Sequence, residues 1–198
     1  GDATIFEKDN CTIATGSLRR KAQWLHKYPT HNVVDLRGNV NSRLQKLANN
    51  PWDGAVFAAA GLERLGIRPA GAINLGWMIP APAQGAMLVV AMANDEFTKD
   101  AVSQLNDIET EICTYIERQF LKTLEGGCTA PIGALAKINK NEIHFVGNLL
   151  SIDGKEKLEI ERTISLDNWT DFGKYCADEI LEKGGSDLMQ TIKETLKK

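Results

Sequence analysis

Short apolar runs alternate with helical patterns over the first 65 residues, and this alternation restricts the fold more than any other feature of the chain. The apolar runs cover residues 11–14, 32–36 and 54–60. A helical stripe begins at Ser17, a residue type that caps helices, and presents Leu18, Ala22 and Leu25 on one face. A second stripe follows a cap at Asn39 or Asn41. This β-α-β-α-β order predicts an α/β domain with a parallel sheet.

The middle of the chain combines an irregular segment with strongly apolar sequence. Residues 68–85 are rich in proline and glycine and predict a loop. Residues 86–93 are almost uniformly apolar and predict a buried strand. Residues 101–124 predict one long helix. Its apolar stripe consists of Leu105, Ile108, Ile112, Ile116 and Phe120.

The last third predicts a small α+β domain, because predicted strands come first and helices follow. The strands cover residues 132–138, 143–150 and 158–164, and Asp153-Gly154 marks a turn before the third. Helical patterns cover residues 169–183 and continue from Ser186.

Charge and cysteine usage exclude several classes of function. The formal net charge of -3 provides no overall field that would attract nucleic acid or an anionic membrane. No stretch reaches the length of a membrane span. The four cysteines form no C-x-x-C pair and have no histidine at ligand spacing, which argues against a metal site. Four scattered cysteines in a chain of this size also argue against a disulfide framework and favour reduced thiols in the cytoplasm.

Arginine occupies the turns that follow the three predicted strands. These arginines are Arg19 and Arg20, then Arg37 and Arg43, then Arg64. In or near the first turn of a helix a cation opposes the helix dipole, at a cost of about 0.3–1 kcal/mol when exposed, unless an anion binds beside it. Because the carboxyl ends of parallel strands meet at one edge, the five side chains predict a site for a ligand with several carboxylates or phosphates. Ordinary solvated arginines are the alternative explanation.

Cys128 stands in a loop between a predicted helix and a predicted strand, in the string Glu125-Gly126-Gly127-Cys128-Thr129. The two glycines allow another group to approach closely, so the thiol could act as a nucleophile or a covalent anchor. The alternative is a small buried apolar residue, the usual role of a free cysteine. We assign Cys11, Cys113 and Cys176 to cores.

Five strings in order resemble the porphobilinogen deaminase family. They are residues 15–20 (TGSLRR), 37–43 (RGNVNSR), 60–66 (AGLERLG), 82–86 (PAQGA) and 124–133 (LEGGCTAPIG). The resemblance extends from about residue 11 to the end. It implies a parallel-sheet domain similar to periplasmic binding proteins over residues 1–85, with an arginine-rich cleft. It further implies a crossover segment over residues 86–103 that returns to a preceding domain, and a C-terminal α+β cofactor-attachment domain over residues 104–198.

The resemblance also implies a cytoplasmic transferase of tetrapyrrole (porphyrin and heme) biosynthesis, hydroxymethylbilane synthase. This activity condenses four porphobilinogen molecules into hydroxymethylbilane and releases ammonia. The implied partners are porphobilinogen and the growing polypyrrole chain, in mostly monomeric enzymes. A dipyrromethane cofactor would be joined to Cys128 by a thioether. The residues implied to bind the cofactor are Ser17, Arg19, Arg20, Arg43 and Arg64, and those implied to bind substrate are Arg37 and Arg43.

The chain departs from the family at its start, where almost none of the family's N-terminal domain precedes the first matched string. No carboxylate here matches the family's catalytic aspartate. We therefore expect an inactive fragment without a catalytic residue of its own and with Cys128 unmodified. Without its home sheet, the segment 86–93 can pair with another copy, pack elsewhere or stay poorly ordered. Two alternatives remain: a non-catalytic anion- or carboxylate-binding module of the periplasmic-binding-protein class, and an unrelated α/β protein.

Overall fold

The structure, a computed structural model, describes residues 3–67, 69, 71–125 and 130–197. Within these ranges the chain has a mixed α/β fold with two sheets, one parallel and one antiparallel. Each sheet has its own cluster of buried hydrophobic residues. The predicted sequence of an α/β part followed by an α+β part is confirmed at this level.

The first unit is built on a three-stranded parallel sheet. Its elements are a 3₁₀ helix at Ala3–Phe6, β1 at Thr12–Ala14, α1 at Leu18–Lys27, β2 at Asn32–Val34, α2 at Val40–Asn49, β3 at Gly54–Ala55 and α3 at Ala59–Glu63. The strand order is β2-β1-β3, with β1 in the centre. The predicted strand over 54–60 is too long, because α3 begins inside it at a run of alanines with high helix propensity.

Two predicted helix caps are present in the first unit. The Ser17 side chain accepts a hydrogen bond from the backbone N–H of Arg20, and Asn39 Oδ1 accepts one from Ser42 at 2.9 Å. The core of this unit contains Cys11, Ile13 and Trp24. Because both caps satisfy free N–H groups at the helix starts, they fix where the chain turns from strand to helix.

Gly16 lies between β1 and α1, in close contact with the backbone after β2. A Cβ at this position would stand 2.6 Å from the carbonyl oxygen of Leu36, a buried residue. We expect Gly16→Ala to lower the free energy of unfolding in urea by about 1–3 kcal/mol, as overpacking does elsewhere. Gly76→Ala is the matched control, since no atom lies within 4 Å of its Cβ position. Equal urea midpoints for the two variants would contradict this expectation.

The second unit is built on a three-stranded antiparallel sheet with the order β4-β5-β6. Its elements are α5 at Ile108–Thr123, β4 at Ile132–Asn139, β5 at Glu142–Leu150, β6 at Lys157–Ser165, a 3₁₀ helix at Leu166–Asn168, α6 at Phe172–Ile180, a π-helical turn at Leu181–Gly185 and α7 at Ser186–Leu196; α4, at Glu96–Ser103, precedes them. The core centres on Phe120, Phe145 and Phe172, whose rings meet edge to face. The three predicted strands are confirmed, and the helix predicted over 169–183 begins later, at Phe172.

Residues 86–93 form no strand, so the prediction for this segment is wrong. The Met87 and Val90 side chains are 93% and 77% exposed. A strand needs a neighbour that pairs with its backbone groups, and no strand in the described ranges lies beside this segment. An exposed apolar segment therefore links the two units.

The single helix predicted over 101–124 is also wrong. The chain instead forms α4 and α5, and Asp107 caps the second by accepting a hydrogen bond from the N–H of Thr110 at 2.8 Å. Asn106 and Asp107 favour caps over helix interiors, which explains the break. Leu105 and Ile108 are consequently exposed, while Ile112, Ile116 and Phe120 face the core.

Among the described helices, none combines the length and the apolar character that crossing a membrane requires. Cys11, Cys113 and Cys176 are free thiols; the first and last are buried, as predicted, and Cys113 is half-buried.

Candidate functional site

The turns after β1, β2 and β3 lie at the carboxyl ends of parallel strands and therefore at one edge of the sheet. We call this surface, formed by residues 15–20, 35–43 and 56–58, the arginine edge. Arg20 crosses it, because its Nη1 donates to the carbonyl oxygen of Val56 after β3 at 3.1 Å. Arg43 Nε donates to the carbonyl oxygen of Gly38 at 2.8 Å. The Arg20 side chain thus links the turns after β1 and β3, whereas the hydrogen bond of Arg43 stays within the turn after β2.

Arg20 and Arg43 form a pair of neighbouring cations. Burial lowers the pKa of Arg20, and the positive charge of Arg43 lowers it further. No carboxylate in the described part of the chain forms an ion pair with either guanidinium. An anion placed between them would reduce the repulsion, so the edge has the electrostatic character of an anion site.

Arg19 is buried, whereas the sequence predicts it as one of the ligand-binding cations of the sheet edge, with a solvated arginine as the alternative. Only 7% of its surface is exposed; Nη1 donates to the carbonyl oxygen of Ile79 at 2.5 Å, and Nη2 donates to Gln84 Oε1 at 2.9 Å. Burial, followed by the charge of Arg20, lowers the pKa of Arg19 to about 10. The buried face of α1 consists of Arg19, Ala22, Gln23 and Trp24. The predicted face with Leu18 and Leu25 is therefore only partly right, since those two residues are half-buried.

Arg37 and Arg64 lie in different surroundings. Arg37 Nε pairs with Asp35 Oδ2 at 2.9 Å on the exposed surface of the turn after β2. Arg64 is exposed and caps the C-terminus of α3, whereas the sequence predicts it near the first turn of a helix. Because α3 starts at Ala59, the argument that a cation opposes the helix dipole does not apply to Arg64.

Ser17 and Cys128 complete the predicted site residues. The Ser17 hydroxyl oxygen caps α1, and its backbone N–H donates to Thr15 Oγ1 at 3.3 Å, so Ser17 sets the start of the helix that carries Arg19 and Arg20. Cys128 lies outside the described residues. The chain on either side of it is anchored in the second unit by the buried side chains of Leu124 and Ile132.

Sequence reasoning missed Gln23 and Glu117, two buried polar residues that hold residues 75–84, which we call the connector. Glu117 is 5% exposed; its Oε2 accepts from the N–H of Ala83 at 2.6 Å and its Oε1 from that of Ala136 at 2.8 Å. Burial raises the pKa of Glu117, and the two backbone hydrogen bonds oppose that rise. Their positions in the helices could have indicated burial. Glu117 lies one residue after Ile116 of the apolar stripe, and Gln23 lies one helical turn after Arg19 on the buried face of α1.

Two clefts border the connector. One, of about 380 Å³, lies between residues 76–80 and the outer face of the antiparallel sheet, and the other, of about 480 Å³, lies between residues 83–86 and α5. No arginine of the arginine edge lines either cleft. The candidate site is therefore an edge that is distinct from these two clefts.

Comparison with known proteins gives two family-model matches. Residues 4–100 match the dipyromethane cofactor binding domain of porphobilinogen deaminase, and residues 111–182 match the C-terminal domain of porphobilinogen deaminase. The first match contains the arginine edge and the connector. The second contains the antiparallel sheet and Cys128.

Similar proteins carry the same family name. A porphobilinogen deaminase of Chlorobium phaeobacteroides is 36% identical over 98% of this chain and 64% of its own length. A probable porphobilinogen deaminase of Methanococcoides burtonii is 38% identical over 92% of this chain and 60% of its own length, and one of Campylobacter jejuni is 40% identical over 90% and 59%. The chain thus spans less than two thirds of the length of these relatives.

Proposed function

The chain belongs to the porphobilinogen deaminase family, and from this premise we propose that it carries the carboxylate-binding and cofactor-attachment parts of a hydroxymethylbilane synthase. The proposed whole enzyme is a cytoplasmic transferase of tetrapyrrole biosynthesis. It condenses four porphobilinogen molecules into hydroxymethylbilane and releases ammonia. The observation that carries the proposal is that Arg20 spans the turns after β1 and β3 beside Arg43, and that no described carboxylate forms an ion pair with either guanidinium.

Porphobilinogen has the chemistry that such a pair requires. Each pyrrole ring brings an acetate and a propionate, so one ring presents two negative charges at neutral pH. A guanidinium binds a carboxylate through two parallel N–H donors, and charge-assisted hydrogen bonds are the strong ones. A chain of pyrrole acids would therefore supply carboxylate partners for Arg20 and Arg43, which pair with no described carboxylate of the protein.

The dipyrromethane cofactor poses the same requirement, because its two rings carry four carboxylates. We propose that the cofactor is held by Ser17, Arg19, Arg20, Arg43 and Arg64 and by a thioether to Cys128. Arg37 and Arg43 would bind the incoming substrate. When bound, the cofactor supplies a covalent primer for the growing chain. The residues of this chain neutralise its carboxylates and fix its place on the edge.

The proposal extends to architecture and location. We propose that residues 1–85 form a domain of the periplasmic-binding-protein class, 86–103 a crossover segment and 104–198 the cofactor-attachment domain. The central position of β1 in the parallel sheet supports the first assignment. The free thiols Cys11, Cys113 and Cys176 support a cytoplasmic location, where cysteines stay reduced.

Calorimetric titration tests the proposed ligand class. We expect the chain to bind porphobilinogen saturably and more tightly than sulfate or phosphate. With no cofactor on Cys128, the two carboxylates of a free pyrrole ring would pair with Arg43 and with Arg20, the proposed cofactor residue beside it. Equal affinity for the inorganic anions would instead indicate a non-catalytic anion-binding module. No binding of any of the three ligands would contradict the proposal.

We also propose that the 198 residues alone do not condense porphobilinogen and that Cys128 is unmodified in them. Among these residues no carboxylate matches the family's catalytic aspartate, and buried Glu117 is engaged with two backbone amides. We expect no hydroxymethylbilane from the purified chain and an intact mass equal to that of the sequence. Turnover, or a mass increment of one dipyrromethane on Cys128, would contradict this proposal.

Self-association through residues 86–93 is a separate expectation. The exposed side chains of Met87, Val90 and Met92 form an apolar segment that pairs with no strand in the described ranges, which favours pairing with a second copy. In sedimentation velocity, the weight-average sedimentation coefficient should rise with protein concentration, and Val90→Lys should reduce this rise. Leu196→Lys on α7 is the control, since it also replaces an exposed apolar residue. Identical concentration dependence in the Val90→Lys and wild-type chains would contradict a role for this segment.

A further inference from the structure

The connector backbone is held on its first side by one buried amide. The backbone N–H of Ile79 donates to Gln23 Oε1 at 2.8 Å, and Gln23 Nε2 donates to the carbonyl oxygen of Ile79 at 2.9 Å. Gln23 is only 5% exposed. Its amide therefore pairs with both polar groups of one connector residue, much as a neighbouring strand would.

Gln23 also shares an acceptor with Arg19, one helical turn earlier on α1. The carbonyl oxygen of Ile79 accepts from Arg19 Nη1 as well as from Gln23 Nε2. The other contact of the guanidinium is Gln84 Oε1, also on the connector. No described carboxylate pairs with Arg19, so two neutral acceptors fix the position of its guanidinium. The nearer acceptor is the carbonyl oxygen of Ile79, the residue that Gln23 holds in place.

The second unit holds the same short stretch of chain. The carbonyl oxygen of Pro80 accepts from the N–H of Ala134 on β4 at 3.0 Å, and the N–H of Ala83 donates to Glu117 Oε2 on α5. The side chain of Ile79 also packs on Gly133, where an added Cβ would lie 3.0 Å from Ile79 Cβ. A shift of Ile79 would therefore move the arginine edge and the antiparallel sheet relative to each other.

We propose that Gln23 is a positioning residue that acts through Arg19: by fixing Ile79 it places the Arg19 guanidinium beside Arg20 and sets the arginine edge against the second unit. This inference rests on the proposed function, in which the edge binds the carboxylates of pyrrole acids. We do not assign Gln23 a ligand contact, because it is 5% exposed and its amide oxygen and nitrogen both engage Ile79.

A double-mutant cycle tests the proposal with porphobilinogen as the probe and calorimetry as the readout. Gln23→Met keeps the volume and removes both hydrogen bonds to Ile79. We expect it to weaken porphobilinogen binding about tenfold in the wild-type background and by less than about twofold in the Arg19→Met background, because coupled residues are not additive. A residue that only supports the fold would cause equal losses in both backgrounds, and that result would overturn the proposal.

Gln23→Glu is the second variant and keeps the test decisive if Gln23→Met fails to fold. It keeps an acceptor for the Ile79 N–H, but its second oxygen faces the Ile79 carbonyl and attracts Arg19, so we again expect about tenfold weaker binding. Gln104→Glu, an exposed residue that caps the C-terminus of α4, controls for the added charge and should bind as wild type. Wild-type affinity in Gln23→Glu would overturn the positioning role alone. Absence of saturable binding by the wild-type chain would overturn the proposed function and this inference together.

Discussion

Replacing both Arg20 and Arg43 by methionine is expected to weaken porphobilinogen binding by at least about 100-fold. Each guanidinium offers a carboxylate charge-assisted hydrogen bonds worth roughly 1.5–3 kcal/mol, so the loss of two exceeds the ~2.7 kcal/mol that a 100-fold change represents. Methionine preserves the apolar stem and removes only the charged group. Calorimetric titration of the variant against the wild-type chain measures the effect.

Stability should respond differently from affinity in the same variant. Burial and repulsion from Arg43 disfavour the charged form of Arg20, as its lowered pKa indicates, and methionine removes both penalties. The lost hydrogen bond to the carbonyl oxygen of Val56 acts in the opposite direction. We therefore expect the free energy of unfolding to stay within about 1 kcal/mol of the wild-type value.

A matched control removes the same charge elsewhere. Arg118 is exposed on α5, and Arg162 on β6 pairs with Glu179 at 2.6 Å. The double variant Arg118→Met, Arg162→Met should retain wild-type affinity for porphobilinogen. If this control lost as much affinity as the Arg20 and Arg43 variant, the binding would reflect net charge and not the arginine edge.

Gly173→Ala should cause a large loss of stability. Gly173 lies in the first turn of α6, where that helix crosses α5, and an added Cβ would stand 2.1 Å from the carbonyl oxygen of Ile116. Ile116 is completely buried, so neither backbone can move without opening the core. We expect the free energy of unfolding to fall by about 3 kcal/mol or more, at the upper end of overpacking effects.

The control for this variant has the opposite expected sign. Gly61 lies inside α3, and an added Cβ there would meet only Val40 Cγ2, at the ordinary contact distance of 3.9 Å. Gly61→Ala should raise the free energy of unfolding by up to about 1 kcal/mol, because alanine favours helix. Urea unfolding of both variants measures the difference, and a Gly173→Ala chain as stable as wild type would contradict the close helix crossing.

Local patterns were sufficient to predict most strands and caps of both units. Ser17 and Asn39 cap helices because their side chains reach N–H groups three residues away, and the β4-β5-β6 sheet follows from alternation and short turns. These features depend on near neighbours in the sequence. The position of Arg19, Arg20, Arg37 and Arg43 at one sheet edge could be predicted for the same reason, since each lies in the turn after a strand or in the first turn of the helix that follows. Arg64 could not, because α3 begins before it.

Features that depend on distant contacts were not predictable from local sequence. Arg19 is buried because the connector, about 60 residues later, covers it, and no local pattern contains that contact. The sequence around Glu117 predicts a solvated helix residue. Its burial depends on hydrogen bonds from the N–H groups of Ala83 and Ala136, which are distant in the sequence. The segment 86–93 has a strand's composition, but no described strand pairs with it.

Arginine-selective NMR tests most directly whether the arginine edge binds the acids of the pyrrole chain. Titration of porphobilinogen into the chain should shift the side-chain Nε–H signals of Arg20 and Arg43 saturably and with one dissociation constant, while the signal of Arg162, on the other sheet, stays in place. Unchanged signals of Arg20 and Arg43 at saturating porphobilinogen, or equal shifts of Arg162, would mean that the ligand binds elsewhere.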